Sequence, residues 1–363
     1  MKITTEREQD ICTVMPHGRI DASSAAAFEE AMERVVKETG NVVLDLAETD
    51  YISSSGLRVL LRTKKALGNR GNFVLTHVNS TIMEVLDLTG FTEMLDVDES
   101  LPDASGIRVM FFDVDGTLLS HTTGKVPEST VQAFEEIRAK GIRTVIATGR
   151  DIGELEKLPV LDALPFDGYL TLNGNICLDE NKKMFAGNEI DPGEVEILVQ
   201  IFKAGRLPFV LIGEHERYIN KVDDIVIETQ LATHGTIPEI GEYKGEKIYQ
   251  CLAFVNAETR QKLDDLLDQC IITSWNETGI DIIARTGGKA AGIRKFLDQH
   301  QLMRSQSMAF GDGENDLSMI KFAGIGVAMG NATQKLKAVA DYVTASVDDD
   351  GIAKAMRHFG LIS

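Results

Sequence analysis

The chain has 363 residues, more than one ordinary hydrophobic core accommodates, so its length predicts two or three domains. Its formal net charge of −19 argues against nucleic acid or an anionic membrane as a partner, since both select basic surfaces. The four cysteines are too widely separated for a zinc ribbon or a dense disulfide framework. Without an apolar signal-like start or a membrane-spanning run, we expect a cytoplasmic protein with reduced thiols.

Residues 1–95 are predicted to form a small α/β domain, because apolar strands alternate with amphipathic helices. The predicted strands cover residues 11–15, 42–46 and 73–78, and the predicted helices cover residues 22–37, 57–67 and 81–88. Ser53, Ser54 and Ser55 precede the second helix, where free N–H groups and the helix dipole favour a phosphate. A serine that only caps the helix explains the same position.

Residues 96–106 are acidic and contain proline and glycine, which predicts a linker. A second unit begins at residue 107 with the apolar run 109–112, which is typical of a strand buried on both faces. Asp113 and Asp115 follow this strand, at the end where ligands collect in parallel sheets. Two carboxylates at this position can hold a divalent cation.

Two other interpretations of these aspartates are weaker. An EF-hand calcium loop needs glycine and glutamate where this chain has Leu118 and Gly124. A helix cap would use only one of the two carboxylates.

Polar residues follow two further predicted strands, residues 144–148 and 169–172. Thr148 and Gly149 could bind phosphate oxygens, although Thr-Gly-Arg alone usually forms a turn, and Asn173 begins a turn at the same sheet edge. Over residues 188–283 the pattern changes to that of an inserted α+β lobe, in which we expect no evident catalytic cluster. The core then resumes with Lys289 at the start of a helix.

The final motif is Gly311-Asp312-Gly313-Glu314-Asn315-Asp316, which follows a short predicted strand at residues 308–310. Strands at residues 325–328 and 342–344 are predicted to close the sheet. Taken singly, a lysine such as Lys289 is more often solvated than catalytic. The interpretation depends on the full set of motifs.

Residues 1–95 resemble the STAS domain of anti-sigma factor antagonists and sulfate transporter tails. The resemblance rests on Gly18-Arg19-Ile20-Asp21-Ala22, on Asp45-Leu46 and on Ile52-Ser53-Ser54-Ser55-Gly56-Leu57-Arg58. It implies that Ser54 is the regulatory phosphoacceptor and that a protein partner binds this domain. Ser53 stands where the antagonists usually have aspartate, so recognition by their kinases does not carry over with the fold.

Residues 107 to about 360 resemble the haloacid dehalogenase superfamily, through Asp113-x-Asp115-Gly-Thr117, Thr148, Lys289 and Gly-Asp312-Gly-x-Asn315-Asp316 in the family's order. The insertion resembles the cap of Cof-like phosphatases. The resemblance implies a doubly wound parallel sheet over residues 107–187 and 284–363, with an α+β cap at residues 188–283. It implies Asp113 as nucleophile and Asp115 as general acid and base.

The same resemblance implies Mg²⁺ on Asp113, the Asp115 carbonyl and Asp312. Lys289, Thr148, Gly149, Asn173 and Asn315 would contact the substrate or its phosphoryl oxygens, and Asp316 would orient Lys289. The predicted function is Mg²⁺-dependent hydrolysis of a small phosphorylated metabolite, such as a sugar phosphate or a phosphorylated cofactor. A metabolite sensor and an anti-sigma pathway component that acts through a protein partner are the alternatives.

Overall fold

The computed structural model describes residues 1–8, 10–68, 71–98, 104–232, 236–274 and 278–363. Three β-sheets organise these residues, and each has its own cluster of buried apolar side chains. We call the three units the amino-terminal domain, the core and the cap. The helices of the described ranges all lack the combination of length and apolar character needed to cross a bilayer.

The amino-terminal sheet has the spatial order Lys2–Glu8, Ile11–Ile20, Asn41–Asp45, Asn72–Thr76, Asp96–Val97, and Thr49–Ile52 pairs with the far end of Ile11–Ile20. Its helices are Ala25–Glu38, Ser54–Leu67 and Ser80–Leu88. The first strand and Thr49–Ile52 were not predicted, because both are mostly polar and only half-buried. The predicted linker 96–106 begins with a strand, since Asp96–Val97 pairs in parallel with Asn72–Thr76; its residues 99–103 lie outside the described ranges.

The core sheet has the order Met184–Gly187, Ile176–Asp179, Gly168–Thr171, Arg143–Ala147, Val109–Phe112, Ser307–Gly311, Ile325–Ala328, Tyr342–Val343. Its strands are parallel except for the first two, which form an antiparallel edge. The helices are Glu128–Ala139, Ile152–Leu155, Val160–Ala163, Lys289–His300, Leu317–Phe322, Gln334–Lys337 and Gly351–His358, with short 3-10 turns at Arg304–Gln306, Glu314–Asp316 and Val347–Asp349.

The central strand Val109–Phe112 shows why the sheet is covered on both faces. Phe111 packs edge-on against Phe296, and Phe112 packs against Phe134, at ring-centroid distances of 5.6 and 4.8 Å. Because successive side chains of a strand point to opposite faces, the helices that carry Phe296 and Phe134 lie on opposite sides of the sheet. The predicted doubly wound α/β fold is confirmed.

The cap sheet has the order Glu239–Ile240, Arg217–Ile219, Phe209–Ile212, Gln250–Phe254, Gly279–Ala284, Cys270–Ser274. The cap helices are Pro192–Ala204, Asp224–Ala232 and Ala257–Leu266. Apolar residues fill the strands Phe209–Ile212 and Gln250–Phe254, which are buried throughout and pair in antiparallel fashion. Because the cap enters after Met184–Gly187 and returns before Lys289, it stands over the carboxyl ends of the core strands.

The amino-terminal domain contacts the core through the segment that begins its strand Thr49–Ile52. Arg304, only 7% exposed, donates a hydrogen bond of 2.9 Å from Nη1 to the carbonyl oxygen of Thr49. The Glu48 carboxylate accepts from the backbone N–H groups of Arg304 and Ser305, at 3.1 and 2.7 Å. Asp50 accepts from Arg294 at 3.1 Å. Charged groups of the two domains are thus paired across a specific contact.

Candidate active site

Asp113 and Asp115 follow the buried central strand at its carboxyl end. Asp113 is 7% exposed. The chain then turns at Gly116, where φ is +81° and an added Cβ would lie 2.3 Å from Oδ2 of Asp312. Only glycine combines this φ with so close an approach to another side chain, so Gly116 lets the loop pass directly over the carboxylates.

Lys289 lies between two of the aspartates. It is the first residue of the helix Lys289–His300 and is fully buried. Its Nζ donates to Oδ1 of Asp113 and to Oδ1 of Asp316, both at 2.5 Å. Burial alone would lower the pKa of Lys289, but the two carboxylates raise it above the ordinary value, so the side chain is an ammonium. The sequence-based pairing of Lys289 with Asp316 agrees with this geometry.

Asp113, Asp312 and Asp316 form a compact carboxylate cluster, with ligand oxygens within 4.8 Å of one another. Burial raises the pKa of Asp312 to about 7, and the nearby Asp316 carboxylate adds to the rise. Burial also raises the pKa of Asp113, with the surrounding aspartates acting in the same direction against Lys289. Oxygen ligands crowded in this way suit a hard divalent cation, so the residues present fit the predicted Mg²⁺.

The Asp115 side chain points to a different partner. Arg150 donates from Nε to Oδ2 at 2.7 Å and from Nη2 to Oδ1 at 2.8 Å, a two-bond geometry that fixes the carboxylate. This engagement is compatible with the expectation that Asp115 offers a metal only its carbonyl oxygen. No role was predicted for Arg150 from the sequence. The signal that could have identified it is its position directly after Thr148 and Gly149, at the end of a strand.

The four remaining predicted residues meet at the same edge. Thr148 is 1% exposed and lines the cavity together with Gly149 and Asn315. Asn173 is 2% exposed, and its Oδ1 accepts from Nδ2 of Asn315 at 3.1 Å. The side chain of Asn173 is therefore bound to protein groups, and its predicted substrate contact remains a prediction.

The cap contributes side chains to this site, and the expectation that it holds no evident catalytic cluster stays a prediction. Asp281, 4% exposed, accepts from Asn173, and Gln250 donates to the carbonyl oxygen of Gly149 at 3.3 Å. On the other side of the cavity Arg217 pairs with Asp151 and Glu154 of the core. These residues are far apart in sequence, but a charged residue inside the apolar run 279–283 was a signal for Asp281.

The core and the cap enclose a cavity of about 630 Å³. Asp113, Asp115, Thr148 and Asp312 line its core side. Its cap side and rim are mostly polar, with Glu154, Arg217, Gln230, Leu252, Ser274 and Glu314. The arrangement can place a phosphoryl group next to Asp113 and surround the rest of a small molecule with hydrogen-bonding groups.

Comparison with known proteins decides the family. The sequence model described as haloacid dehalogenase-like hydrolase matches residues 110–356, and the STAS model matches residues 2–104. The chain belongs to the haloacid dehalogenase-like hydrolase family. Its amino-terminal unit is a STAS domain, and the prediction of a haloacid dehalogenase-type phosphatase is confirmed at the level of the family.

Several relatives match the region beyond the STAS domain. The putative phosphatase YkrA of Bacillus subtilis is 33% identical over 258 residues, which are 70% of this chain and 98% of YkrA. The 5-amino-6-(5-phospho-D-ribitylamino)uracil phosphatase YitU of the same organism is 33% identical over 261 residues, which are 68% of this chain and 95% of YitU.

Solved structures of phosphatases from this superfamily match the same region of the chain. BT1666 from Bacteroides thetaiotaomicron, a phosphatase of the haloalkanoate superfamily, matches with a TM-score of 0.66 and 33% identity, over 72% of this chain and 99% of its own. The subclass IIB sugar phosphatase BT4131 matches with a TM-score of 0.64 and 33% identity, over 70% of this chain and 100% of its own.

Ser54 lies in the STAS domain at the first position of the helix Ser54–Leu67. The hydroxyl that caps this helix belongs to Ser53, whose Oγ accepts from the N–H of Ser55 at 3.2 Å. Ser54 is exposed. One turn further on, Nε of Arg58 donates to the carbonyl oxygen of Ser54 at 3.2 Å. The capping role therefore belongs to Ser53 rather than to Ser54.

Proposed function

We propose that the protein is a cytoplasmic, Mg²⁺-dependent phosphatase that hydrolyses a small phosphorylated metabolite through an aspartyl-phosphate intermediate. The observation that carries this proposal is the juxtaposition of a buried Asp113 with Lys289 on one side and Asp115, fixed by Arg150, on the other. A nucleophile, a cation and a separate acid are the groups that phosphoryl transfer to a carboxylate requires.

In the first step a carboxylate oxygen of Asp113 attacks phosphorus, the bond to the ester oxygen breaks, and Asp115 gives its proton to that oxygen. In the second step Asp115 takes a proton from water, which attacks the phosphorus of the acyl phosphate. Inorganic phosphate leaves and Asp113 is regenerated. Lys289 and Thr148 would hold the phosphoryl oxygens throughout.

Asp113, Asp312 and the Asp115 carbonyl would hold Mg²⁺, with Asp316 next to them. When bound, the ion supplies positive charge that offsets repulsion between these carboxylates and the phosphoryl group. Burial, together with the neighbouring carboxylates, raises the pKa values of Asp113 and Asp312, and this supports the need for a cation.

The cavity supports a polyhydroxylated leaving group. Arg217, Gln230 and Ser274 face the cavity with groups that hydrogen-bond to hydroxyls, and Leu252 provides an apolar surface. The named activities of YitU, on a phosphorylated ribityl compound, and of BT4131, a sugar phosphatase, point to the same class. A folded phosphoprotein is the less favoured substrate, because the cap stands over the carboxyl ends of the core strands and contributes to the lining of the cavity.

We further propose that the STAS domain is a regulatory or docking module that binds a protein partner. Ser54 at the start of its helix is exposed while Glu48 and Asp50 contact the core, so the Ser54 hydroxyl is accessible to a partner.

A screen of phosphorylated sugars, nucleotides and cofactors tests the substrate class. With Mg²⁺ we expect phosphate release from at least one sugar or sugar-alcohol phosphate. EDTA should abolish turnover and added Mg²⁺ should restore it, since the carboxylate cluster repels an anionic substrate without the ion. Turnover that continues in metal-free buffer, or a full panel without hydrolysis, would contradict the proposal.

A further inference from the structure

The loop 172–175 contacts each part of the catalytic site. The backbone N–H groups of Leu172 and Asn173 donate to the carbonyl oxygens of Arg150 and Thr148, at 3.0 and 2.8 Å. Asn173 also accepts from Asn315 at 3.1 Å. A Cβ on Gly174 would lie 3.2 Å from Cα of Lys289, so the loop packs directly against the start of that helix.

This loop has an unfavourable backbone conformation. Leu172 and Asn173 have φ of +51° and +55°, in the left-handed region that non-glycine residues avoid, and Gly174 has φ of +79°. Such a conformation persists only when surrounding groups fix it. Contacts made by the Asn173 side chain therefore help to hold the backbone of loop 172–175 in this conformation.

Gln250 and Asp281 of the cap supply such contacts. Oε1 of Gln250 accepts from Nδ2 of Asn173 at 3.1 Å, and so does the carboxyl group of Asp281. Its Oδ2 accepts from Nδ2 of Asn173 at 2.7 Å, and its Oδ1 accepts from Nε2 of Gln250 at 3.3 Å. In both bonds the Asp281 carboxyl group is the acceptor, and this selects the rotation of Asn173 that turns the NH₂ group towards the cap. The carbonyl of the same amide then faces Asn315 of the core.

We propose that Asp281 is a positioning residue, which acts through Asn173 to hold Asn315 and the loop 172–175 in the arrangement that the reaction needs. Asp281 belongs to the cap and Asn173 to the core, so their contact forms only when the cap lies on the core. The position of the cap therefore affects how the catalytic residues are arranged. The proposal rests on the proposed phosphatase function and deepens it.

The test compares Asp281→Ala with Asp264→Ala, which removes an exposed carboxylate of the same cap. Values of kcat and KM are measured with p-nitrophenyl phosphate and with the best sugar phosphate. We expect Asp281→Ala to lower kcat about 10- to 100-fold on both substrates, with KM changed less than about threefold, as misplacement of reacting groups does. Asp264→Ala should match the wild type.

Two further variants separate positioning from other roles. Asn173→Ala should lower kcat similarly, and the double variant should be no worse than either single one, because both act through one contact. Unchanged kcat in Asp281→Ala would overturn the proposal. A KM increase confined to the sugar phosphate would also overturn it, since Asp281 would then be a substrate contact. If Asp281→Ala does not fold, Asp281→Ser takes its place with the same expectations.

Calorimetric titration with inorganic phosphate and Mg²⁺ separates this proposal from the proposed function. A wild type that binds phosphate but hydrolyses nothing would refute the phosphatase proposal alone. Orthovanadate with Mg²⁺, which mimics the transition state, should then still bind more weakly to Asp281→Ala than to Asp264→Ala, and equal binding would refute positioning. A wild type that neither binds nor hydrolyses would refute both.

Discussion

Arg150 is the single residue whose role depends most on the structure. Its two hydrogen bonds fix the orientation of the Asp115 side chain, which in its protonated form is the proposed proton donor. A sugar alkoxide needs that proton to leave, whereas p-nitrophenolate leaves readily without it. Arg150 should therefore matter more for sugar phosphates than for p-nitrophenyl phosphate.

We predict that Arg150→Ala lowers kcat for a sugar phosphate roughly 100-fold and for p-nitrophenyl phosphate clearly less, since general acid catalysis contributes about 10²- to 10⁴-fold. The exposed Arg206→Ala is the matched control. Steady-state kinetics on both substrates measure the difference. Equal losses on the two substrates would show that Arg150 does not act through proton transfer.

Among individual residues, those that lie in short motifs could be predicted from the sequence, because a motif at a strand end places its residues at a fixed spacing. Lys289 could be assigned only through its motif, since its burial depends on Asp113, which lies 176 residues earlier in the sequence. Arg217, Gln250 and Asp281 could not be grouped from the sequence. Arg217 and Asp281 reach the cavity and Gln250 contacts Gly149 and Asp281, each from a different cap strand, and only the folded cap brings them together.

At the scale of elements, the helix Ser54–Leu67 separates two roles that sequence spacing could not. Ser53 caps the helix, and Ser54 exposes its hydroxyl at the helix start. A phosphate on Ser54 would face free N–H groups and add about two negative charges next to Arg58.

We predict that Ser53→Ala lowers the free energy of unfolding of the STAS domain by about 1 kcal/mol, as loss of a cap does. Ser54→Ala should change it by less than about 0.5 kcal/mol. Urea unfolding measures both.

Phosphopeptide mapping in intact cells, with pull-downs of the wild type and Ser54→Asp, tests the regulatory role of Ser54. If no phosphate is found under any condition and the partners are unchanged, Ser54 has no regulatory role.

Long periodic or fully apolar segments were predictable as elements. Ile325–Ala328 has the predicted bounds, because it is an uninterrupted buried strand. The antiparallel edge strands Ile176–Asp179 and Met184–Gly187 were missed, since turn residues and lysines interrupt their pattern. The loop 172–175 could not be derived, because its left-handed backbone is fixed by contacts with the cap and with other core loops.

At the scale of the whole molecule, the STAS domain is joined to the core at a point remote from the chemistry. Arg304 and Ser305 precede the strand Ser307–Gly311, whereas Asp312 follows it. The contact with Glu48 and Thr49 thus lies at the opposite end of this strand from the catalytic cavity. The STAS domain can therefore bind tightly to the core without taking part in catalysis.

We predict that Asp50→Ala weakens domain docking, because it removes an acceptor from Arg294 and a counter-charge 3.8 Å from the buried Arg304. The loss should be about 2 kcal/mol. Limited proteolysis between the domains should become faster than in Glu30→Ala, an exposed control on the same domain. Turnover of p-nitrophenyl phosphate should stay within about twofold of wild type; a large loss would show that the STAS domain supports the active site.

The most direct test of the whole account is the turnover of p-nitrophenyl phosphate by Asp113→Asn with saturating Mg²⁺. A neutral amide cannot form the acyl phosphate, so we predict that the variant folds with the wild-type circular dichroism spectrum and shows no turnover above background. A variant that hydrolyses the substrate at a rate near that of the wild type would contradict the aspartyl-phosphate mechanism.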